Sequence, residues 1–374
     1  MHSLTFFPLG NADCCRTDLI NGMKILFDYA NCCDPDDNED LRINLADALR
    51  DDLKEAGRDY YDVVAFTHAD SDHICGASDF FYLDHAKKYQ DDDRIKINEL
   101  WVPAAMILES NLDGDAYVLR AEARYRLKKG KGIRVFSRPD RLKDWLESEG
   151  IKLEDRIHLI TDAGQLVPGF NLSSEGVEFF VHSPFAVRQD GELIDRNENS
   201  LVVQAKFAYE GQDTRVILGG DATYDVWTDI VNITKYHKRE DRLKWDAFKV
   251  SHHCSYLSLS DEKGEIKTEP VDEVKWLFEQ GEARGIIVSS SKPIPESYEE
   301  IQPPHRQAAN YYREKASAID GEFVVTMEHP TKSKPKPLVI KIDDSGAVIK
   351  KQIITGAAAV ISRPAPRAGR ELNG

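Results

Sequence analysis

The chain has 374 residues, 41% of them hydrophobic and 30% charged, with a formal net charge of −16 at pH 7. Such a composition belongs to a globular protein able to bury a large core in one large domain or two ordinary ones. Its acidity opposes indiscriminate adhesion to nucleic acid or anionic membrane, while leaving room for a local basic track. No stretch is long and apolar enough to span a bilayer, and residues 1–7 lack the basic start and long apolar core of a signal peptide. A cytoplasmic protein with no membrane partner is expected.

Residues 4–9 read as a first strand, followed by a turn at 10–13. Residues 17–20 and 24–28 read as a hairpin around Asn21-Gly22, a strong turn pair. An acidic loop at 34–37 leads into an amphipathic helix with Leu41, Ile43, Leu45, Leu49 and Leu53 on one face. Residues 61–66 form a short run of apolar, β-branched and aromatic residues, read as a buried strand. Directly after it, His68, Asp70, Asp72 and His73 put four potential metal ligands within six residues. That many polar groups do not stay unpaired where a strand enters a core. Imidazoles with carboxylates suit Zn²⁺, Mn²⁺ or Fe.

Residues 79–92 look helical and 99–102 look like a strand. The stretch 104–150 is helix-prone and locally reverses the sign of the charge. From Arg120 to Lys143 it carries Arg120, Arg124, Arg126, Lys128, Lys129, Lys131, Arg134, Arg138, Arg141 and Lys143 against Glu122 and Asp140. Tyr117, Tyr125 and Phe136 lie in or beside it. Such a segment can track a phosphate backbone and stack on bases, or it can be a solvated helix face paired with acidic surface. Residues 151–183 read as β-rich, with His182 at a strand end. A strand at 215–218 runs into Gly219-Gly220-Asp221, where glycines permit close approach of the backbone. Another ends in the pair His252-His253. A late strand at 285–290, Pro303-Pro304-His305, a helix at 306–315 and a β-like segment at 323–326 close the domain. The alternation suits a layered α/β domain over residues 1–351, with 104–150 as an insertion. Residues 352–374 have little to bury and read as a flexible or docking tail.

The six cysteines, Cys14, Cys15, Cys32, Cys33, Cys75 and Cys254, include no C-x-x-C pair. A disulfide framework is not expected. They read as polarizable packing residues, with redox or soft-metal sensitivity as the sharper alternative.

The run His68-x-Asp70-x-Asp72-His73 resembles the HxHxDH signature of the metallo-β-lactamase superfamily, with an aspartate in place of the second histidine. Extended to Gly76, it is most similar to the hydrolase domain attached to ComEC/Rec2 DNA-uptake proteins. None of this chain corresponds to their membrane channel, so DNA import is not implied. Asp13 and Asp28 match the acids of the family's opening turn and strand end. Residues 197–203 resemble its Asn-x-Asn-Ser-Leu-Val entry. Lys249 to Ser255 resemble Lys-Val-x-His-His-Gly-Ser, with Cys254 in place of glycine. Residues 303–305 resemble its closing Gly-His-Pro region.

The resemblance implies an αββα sandwich: two mixed sheets face to face, helices outside, metals at one edge, and a helical basic insertion. It implies two divalent ions, Zn²⁺ or Mn²⁺, with the carboxylate of Asp70 making Mn²⁺ plausible beside Zn²⁺. His68 and Asp70, joined by His182, would hold the first. Asp72, His73 and His253 would hold the second, and Asp221 would bridge. His253 is favoured over His252 as the ligand, although their order alone leaves both open. Asp28 would support the metal loop through hydrogen bonds. Asp72, His252 and His305 would serve catalysis, the two histidines facing substrate. Two metals about 4 Å apart activate a shared water and neutralise an anionic transition state. The expected activity is phosphodiester hydrolysis by a nuclease. The alternatives are a hydrolase of a small phosphodiester, such as a cyclic nucleotide or phosphocholine-like ester, or an interaction subunit binding a protein partner through the tail or insertion.

Overall fold

A computed structural model describes residues 1–37, 39–189 and 195–350. Its strands, in chain order, are β1 (His2–Phe6), β2 (Cys15–Asp18), β3 (Lys24–Phe27), β4 (Tyr60–Ala65), β5 (Lys96–Pro103), β6 (Ile133–Phe136), β7 (Ile160–Thr161), β8 (Val177–Ser183), β9 (Val202–Tyr209), β10 (Gln212–Leu218), β11 (Trp245–Lys249), β12 (Gly281–Ser289), β13 (Glu322–Val325), β14 (Leu338–Asp343) and β15 (Gly346–Ile349). One sheet runs β15-β14-β1-β2-β3-β4-β5-β6-β7 and the other β13-β12-β11-β10-β9-β8. Both are mixed. From β3 to β7 the first sheet is parallel, and from β10 to β13 so is the second.

Alternation of side chains across the pleat explains the layers. Ile25, Phe27, Val63 and Trp101 of the first sheet meet Phe179, Val203, Val216 and Val288 of the second in a core between the sheets. Their strand neighbours Leu26, Val64, Leu100 and Val102 face outward and pack with Leu45, Leu49 and Leu53 of the helix Leu45–Glu55. On the other side, Ile217, Phe248 and Ile287 pack with Val226, Trp227 and Ile230 of the helix Tyr224–Tyr236, and with Tyr312. Strands covered on both faces read as apolar runs, which is why β4 is legible in the sequence. The expected αββα sandwich is the architecture found.

The hairpin forms at Asn21-Gly22 as expected, pairing Asp18 with Lys24 and Cys15 with Phe27. Asn44 caps the following helix by accepting from the Asp47 amide at 3.2 Å, so Leu41 and Ile43 precede the helix and Leu41 is exposed. The helix expected over 79–92 is absent. Only Ala77–Phe80 is α-helical, with a 3₁₀ turn at Lys87–Tyr89. Phe80, Phe81 and Leu83 are all buried, and Phe81 bridges Ile95, so tertiary packing overrides local helix preference here.

The stretch 104–150 holds the helices Ala104–Leu108, Gly114–Lys129 and Asp140–Ser148 together with β6, which adds to the first sheet parallel to β5. Leu119, Ala123, Leu127, Leu142 and Leu146 join the same outer core as Leu49. Most of its cations are pinned internally. Arg126 bonds Glu122 at 2.6 Å and the carbonyls of Ile97 and Gly132. Arg124 donates to the Ile107 carbonyl, Arg134 to that of His158, and Lys128 and Arg138 pair with Glu149 and Asp162. No described helix is long and apolar enough to cross a membrane. The expected tail, 352–374, lies outside the described residues.

The Phe179 ring touches Phe27, Trp101 and Phe170 edge-on or tilted, with centroids 5.1–6.0 Å away. Phe179→Ala should therefore lower the free energy of unfolding by about 3–5 kcal/mol in a urea titration. Tyr236→Ala, at a residue 82% exposed, should change it by less than about 0.5 kcal/mol.

Candidate metal centre

Parallel strands end on a common edge, and both sheets turn that edge toward one place. β3 ends beside β4, and β10 ends beside β11. Asp28 follows β3 directly. Its Oδ1 accepts from the Thr67 amide at 2.7 Å, and its Oδ2 accepts from Thr67 Oγ1 at 2.8 Å and His73 Nδ1 at 2.9 Å. One carboxylate thus fixes the loop after β4 and the orientation of His73. The Asp13 amide donates to the Asp72 carbonyl at 2.9 Å, and the Leu201 amide to the Thr67 carbonyl at 2.9 Å, which ties the second sheet to the same loop. Asp221 arrives through Gly219-Gly220. A Cβ on Gly220 would stand 2.2 Å from Ser200 Oγ, and its φ is +51°, so only glycine fits there.

At the meeting point, His73 Nε2 lies 3.2 Å from Asp221 Oδ1 and 3.6 Å from Asp13 Oδ2. His253 Nε2 lies 3.1 Å from Asp72 Oδ2 and 3.8 Å from Asp221 Oδ2. His68 Nε2 lies 3.4 Å from Asp70 Oδ2 and 4.0 Å from Asp221 Oδ2. Donor atoms of Asp13, His73, Asp221 and His253 all fall within 4.8 Å of one another. His73 gives its Nδ1 proton to Asp28, and His253 gives its own to the Ser290 carbonyl at 2.8 Å. Each ring then turns its Nε2 toward the carboxylates, the arrangement a metal-binding imidazole needs once that nitrogen has lost its proton. His68 and His73 are buried, and their Nε2 atoms make no hydrogen bond among the described residues. Orphaned ring nitrogens facing buried carboxylates fit a divalent cation.

The electrostatics agree. Burial pushes His73 and His253 down, but Asp221 with Asp28 holds His73 well above its ordinary value, and Asp221 with Asp72 holds His253 above its own. Burial pushes Asp221 up, yet His73 and His253 hold it well below the carboxylate range. The cluster attracts positive charge, and a divalent cation would bind it by displacing protons. Lys249, buried beneath the site, pairs with Asp13 and donates to the Gly220 carbonyl at 3.2 Å.

His68, Asp70, Asp72, His73, Asp221 and His253 all converge here. The His252 amide donates to Asp221 Oδ1 at 3.1 Å, while its ring stands partly exposed beside the cluster with Nδ1 unbonded. Two expected residues stand elsewhere. His182 is not a ligand of the cluster: its Nε2 donates to the Arg242 carbonyl at 2.9 Å, and its ring lies against Phe180. A register shift between Val181 and Ser183 turns it into a separate cavity with Gly164, Thr234 and His237. His305 does not face substrate either. Its Nδ1 accepts from the Tyr256 amide at 3.3 Å, and its Nε2 donates to the Ile301 carbonyl at 3.2 Å, so both nitrogens are spent on backbone.

The sequence puts Asp13 at the opening turn and outside the expected ligand set, whereas its carboxylate joins the cluster. Arg196 and Glu109 carry no local signal beyond being charged, and Lys249 enters only as the first residue of the motif that ends in the paired histidines. Where glycine is expected after the paired histidines, Cys254 adopts φ +66°, the third left-handed residue in a row after His252 and His253. The chain makes this left-handed turn without a glycine, at a cost of about 1–2 kcal/mol per residue. All six cysteines are free thiols, and burial pushes Cys254 up to about 12, so it packs as a neutral group.

Two outcomes follow from these contacts. Asp28→Asn should weaken Zn²⁺ or Mn²⁺ binding by about 10–100-fold in calorimetric titration, because His73 loses the acceptor that orients it. His182 has its pKa lowered by burial from 6.5 to about 4. Its neutral form is the one the fold favours, so its contribution is complete above pH 6.5 and is lost as pH falls toward 4, by up to about 3 kcal/mol. His182→Gln, which keeps a donor near Nε2, should flatten that part of the stability profile in urea titrations between pH 7 and 4.

No family model matches the sequence, and no curated protein sequence matches it. Among solved structures, the chain is similar to unliganded yeast PDE1 at 10% identity, covering 87% of this chain and 98% of that one with a TM-score of 0.43. It is also similar to a diphosphatase from the PhnP family, at 9% identity, 92% and 98% coverage and a TM-score of 0.36. The Zn²⁺-bound PqqB from Methylobacterium extorquens follows at 10% identity, 87% and 98% coverage and a TM-score of 0.33.

Proposed function

We propose that this protein is a metal-dependent hydrolase of phosphodiester bonds, acting on small phosphodiesters in preference to polynucleotides. The observation that carries the reading is the buried convergence of His68, His73 and His253 with Asp13, Asp72 and Asp221, their Nε2 atoms turned inward at the shared edge of the two sheets. Asp13, His73, Asp221 and His253, with Asp72 beside them, would hold one cation, and His68, Asp70 and Asp221 a second. When bound, Zn²⁺ or Mn²⁺ there would polarise a phosphoryl oxygen and lower the pKa of water.

The remaining roles fall to the chain. Asp221 lies between both groups of histidines and is held in place by the Ser200 hydroxyl and the His252 amide. His252, anchored through its backbone amide at Asp221 and Gly220, presents the ring suited to exchange a proton with the leaving oxygen. A groove of about 620 Å³ runs from Ser71 and Asp72 past Asn11 to Arg42, Lys292 and Lys332. Lys292 is exposed there and makes no ion pair among the described residues, so it can meet an anionic substrate. The likeness of residues 68–76 to the ComEC/Rec2-type hydrolase domain also supports a phosphodiester substrate.

The small-substrate preference rests on the basic stretch. Arg124, Arg126 and Arg134 are bonded to the protein's own backbone, and the exposed Lys128, Arg138 and Lys143 are paired with Glu149, Asp162 and Glu147, which leaves Lys129 and Lys131 as the exposed cations of the stretch without a carboxylate partner among the described residues. The test is purified protein with Mn²⁺ or Zn²⁺ against bis(4-nitrophenyl) phosphate, cyclic nucleotides, and labelled single-stranded DNA, duplex DNA and RNA. Small-ester cleavage should vanish on chelation and return with metal. It should be lost in Asp72→Ala and Asp221→Ala, and fall by about 100-fold or more in His252→Ala. Faster cleavage of a polymer would make the enzyme a nuclease. Activity surviving both chelation and Asp221→Ala would overturn the site assignment.

A further inference from the structure

The two halves of the cluster are unequally furnished, and the difference comes from residues far away in sequence. The half around Asp13, His73, Asp221 and His253 is closed: their side chains are 5%, 0%, 3% and 1% exposed. It has two imidazoles oriented by Asp28 and Ser290, and Asp72 and Asp221 within reach without a cationic Lys or Arg partner among the described residues, beside Asp13, which is paired with Lys249. The other half offers His68 Nε2, Asp70 Oδ2 and a share of Asp221, and His182 is not there to complete it.

Asp70 is moreover already paired. Arg196 Nη1 donates to Asp70 Oδ1 at 2.7 Å and to the Ala69 carbonyl at 3.2 Å. The far side of the same guanidinium is clamped by Glu109, with Nε at 2.9 and 3.1 Å from the two carboxylate oxygens and Nη2 at 2.8 Å from one of them. A guanidinium held at both ends is not free to swing away. Asp70 Oδ2 still points toward His68, so the position remains usable. Its charge, however, is largely answered before any cation arrives, and the fixed positive charge beside it repels one.

Resting on the reading of this cluster as a metal centre, we propose that the Glu109–Arg196 clamp on Asp70 makes the two cation positions unequal. The Asp13–His73–Asp221–His253 position fills first and tightly. The His68–Asp70 position fills second and weakly, and Arg196 sets its affinity. The resting protein accordingly carries one divalent ion at cation concentrations that would fill two equal sites. Glu109, and not the arginines and lysines that follow it, is what the stretch 104–150 contributes to the site.

The experiment is calorimetric titration of metal-free full-length protein with Mn²⁺ and with Zn²⁺, and elemental analysis of bound metal after dialysis. Wild type should show a tight step and a weak step at least about tenfold apart, and retain one ion per chain after dialysis. In Arg196→Gln the weak step should tighten by about tenfold with the tight step unmoved, since a charge-assisted bond competing for Asp70 is gone. Arg196→Lys keeps the charge without the fork and should shift the weak step less than Arg196→Gln. Asp13→Asn should loosen the tight step alone. Circular dichroism spectra matching wild type establish that the variants fold. Two equal steps in wild type that Arg196→Gln leaves unchanged would overturn the inequality while keeping the metal centre. A weak step that loosens in Arg196→Gln would show that Arg196 orients Asp70 for the cation, and would also overturn the proposal. Absence of any binding in folded wild type would remove the metal reading itself.

Discussion

Asp13, Asp28 and Asp221 are all buried, and so are His68, His73 and His253. Ions taken out of water cost several kcal/mol each unless they are paired and hydrogen-bonded. Every feature around them answers that cost. Asp28 is satisfied by three donors from the metal loop, Asp13 by Lys249, and Asp221 by the backbone of His252. What stays unanswered is the inward face of His68 and His73, and that unmet bonding defines the site chemically.

The sandwich exists to hold this arrangement still. Loops that carry ligands are anchored where strands from two sheets end side by side, so displacement of one ligand requires a shift of packed β-structure. The bond from Leu201 to Thr67 crosses from one sheet to the other beside the ligands themselves. The left-handed run at His252, His253 and Cys254 stores strain at the same edge, and the close approach of Gly220 to Ser200 spends backbone freedom there too. Three consecutive left-handed residues beside the cluster are strain that the packed edge tolerates where these side chains are aimed.

Local patterns were good guides where burial and periodicity agree. The apolar run before the metal loop became β4, and Asn21-Gly22 made its hairpin, because in each case a few adjacent residues carry the information. Residues 79–92 failed as a helix since Phe80, Phe81 and Leu83 are all drawn inward by separate neighbours. His182 did end a strand as expected, but a register shift at its own position rotates it toward the helix layer. Composition misled at the basic stretch: a count of arginines reports charge, and cannot report that a guanidinium is folded back onto a carbonyl of its own chain.

The amino-acid sequence by itself determined which ligand-type side chains the loops carry, since closely spaced His and Asp after a strand, a Gly-Gly-Asp turn and a His-His pair are short motifs whose spacing alone constrains what they can hold. It determined the layered α/β class for the same reason, through runs of apolar residues each only a few positions long. Which of those residues meet, and on what terms, was left to the tertiary structure. Arg196 lies 126 residues from Asp70 and 87 from Glu109, and Lys249 lies 236 from Asp13. No local propensity couples positions so distant. Only the closing of two sheets on each other brings the charges together, and Coulomb interaction at hydrogen-bond range then decides which carboxylates remain open to a cation and which are already taken.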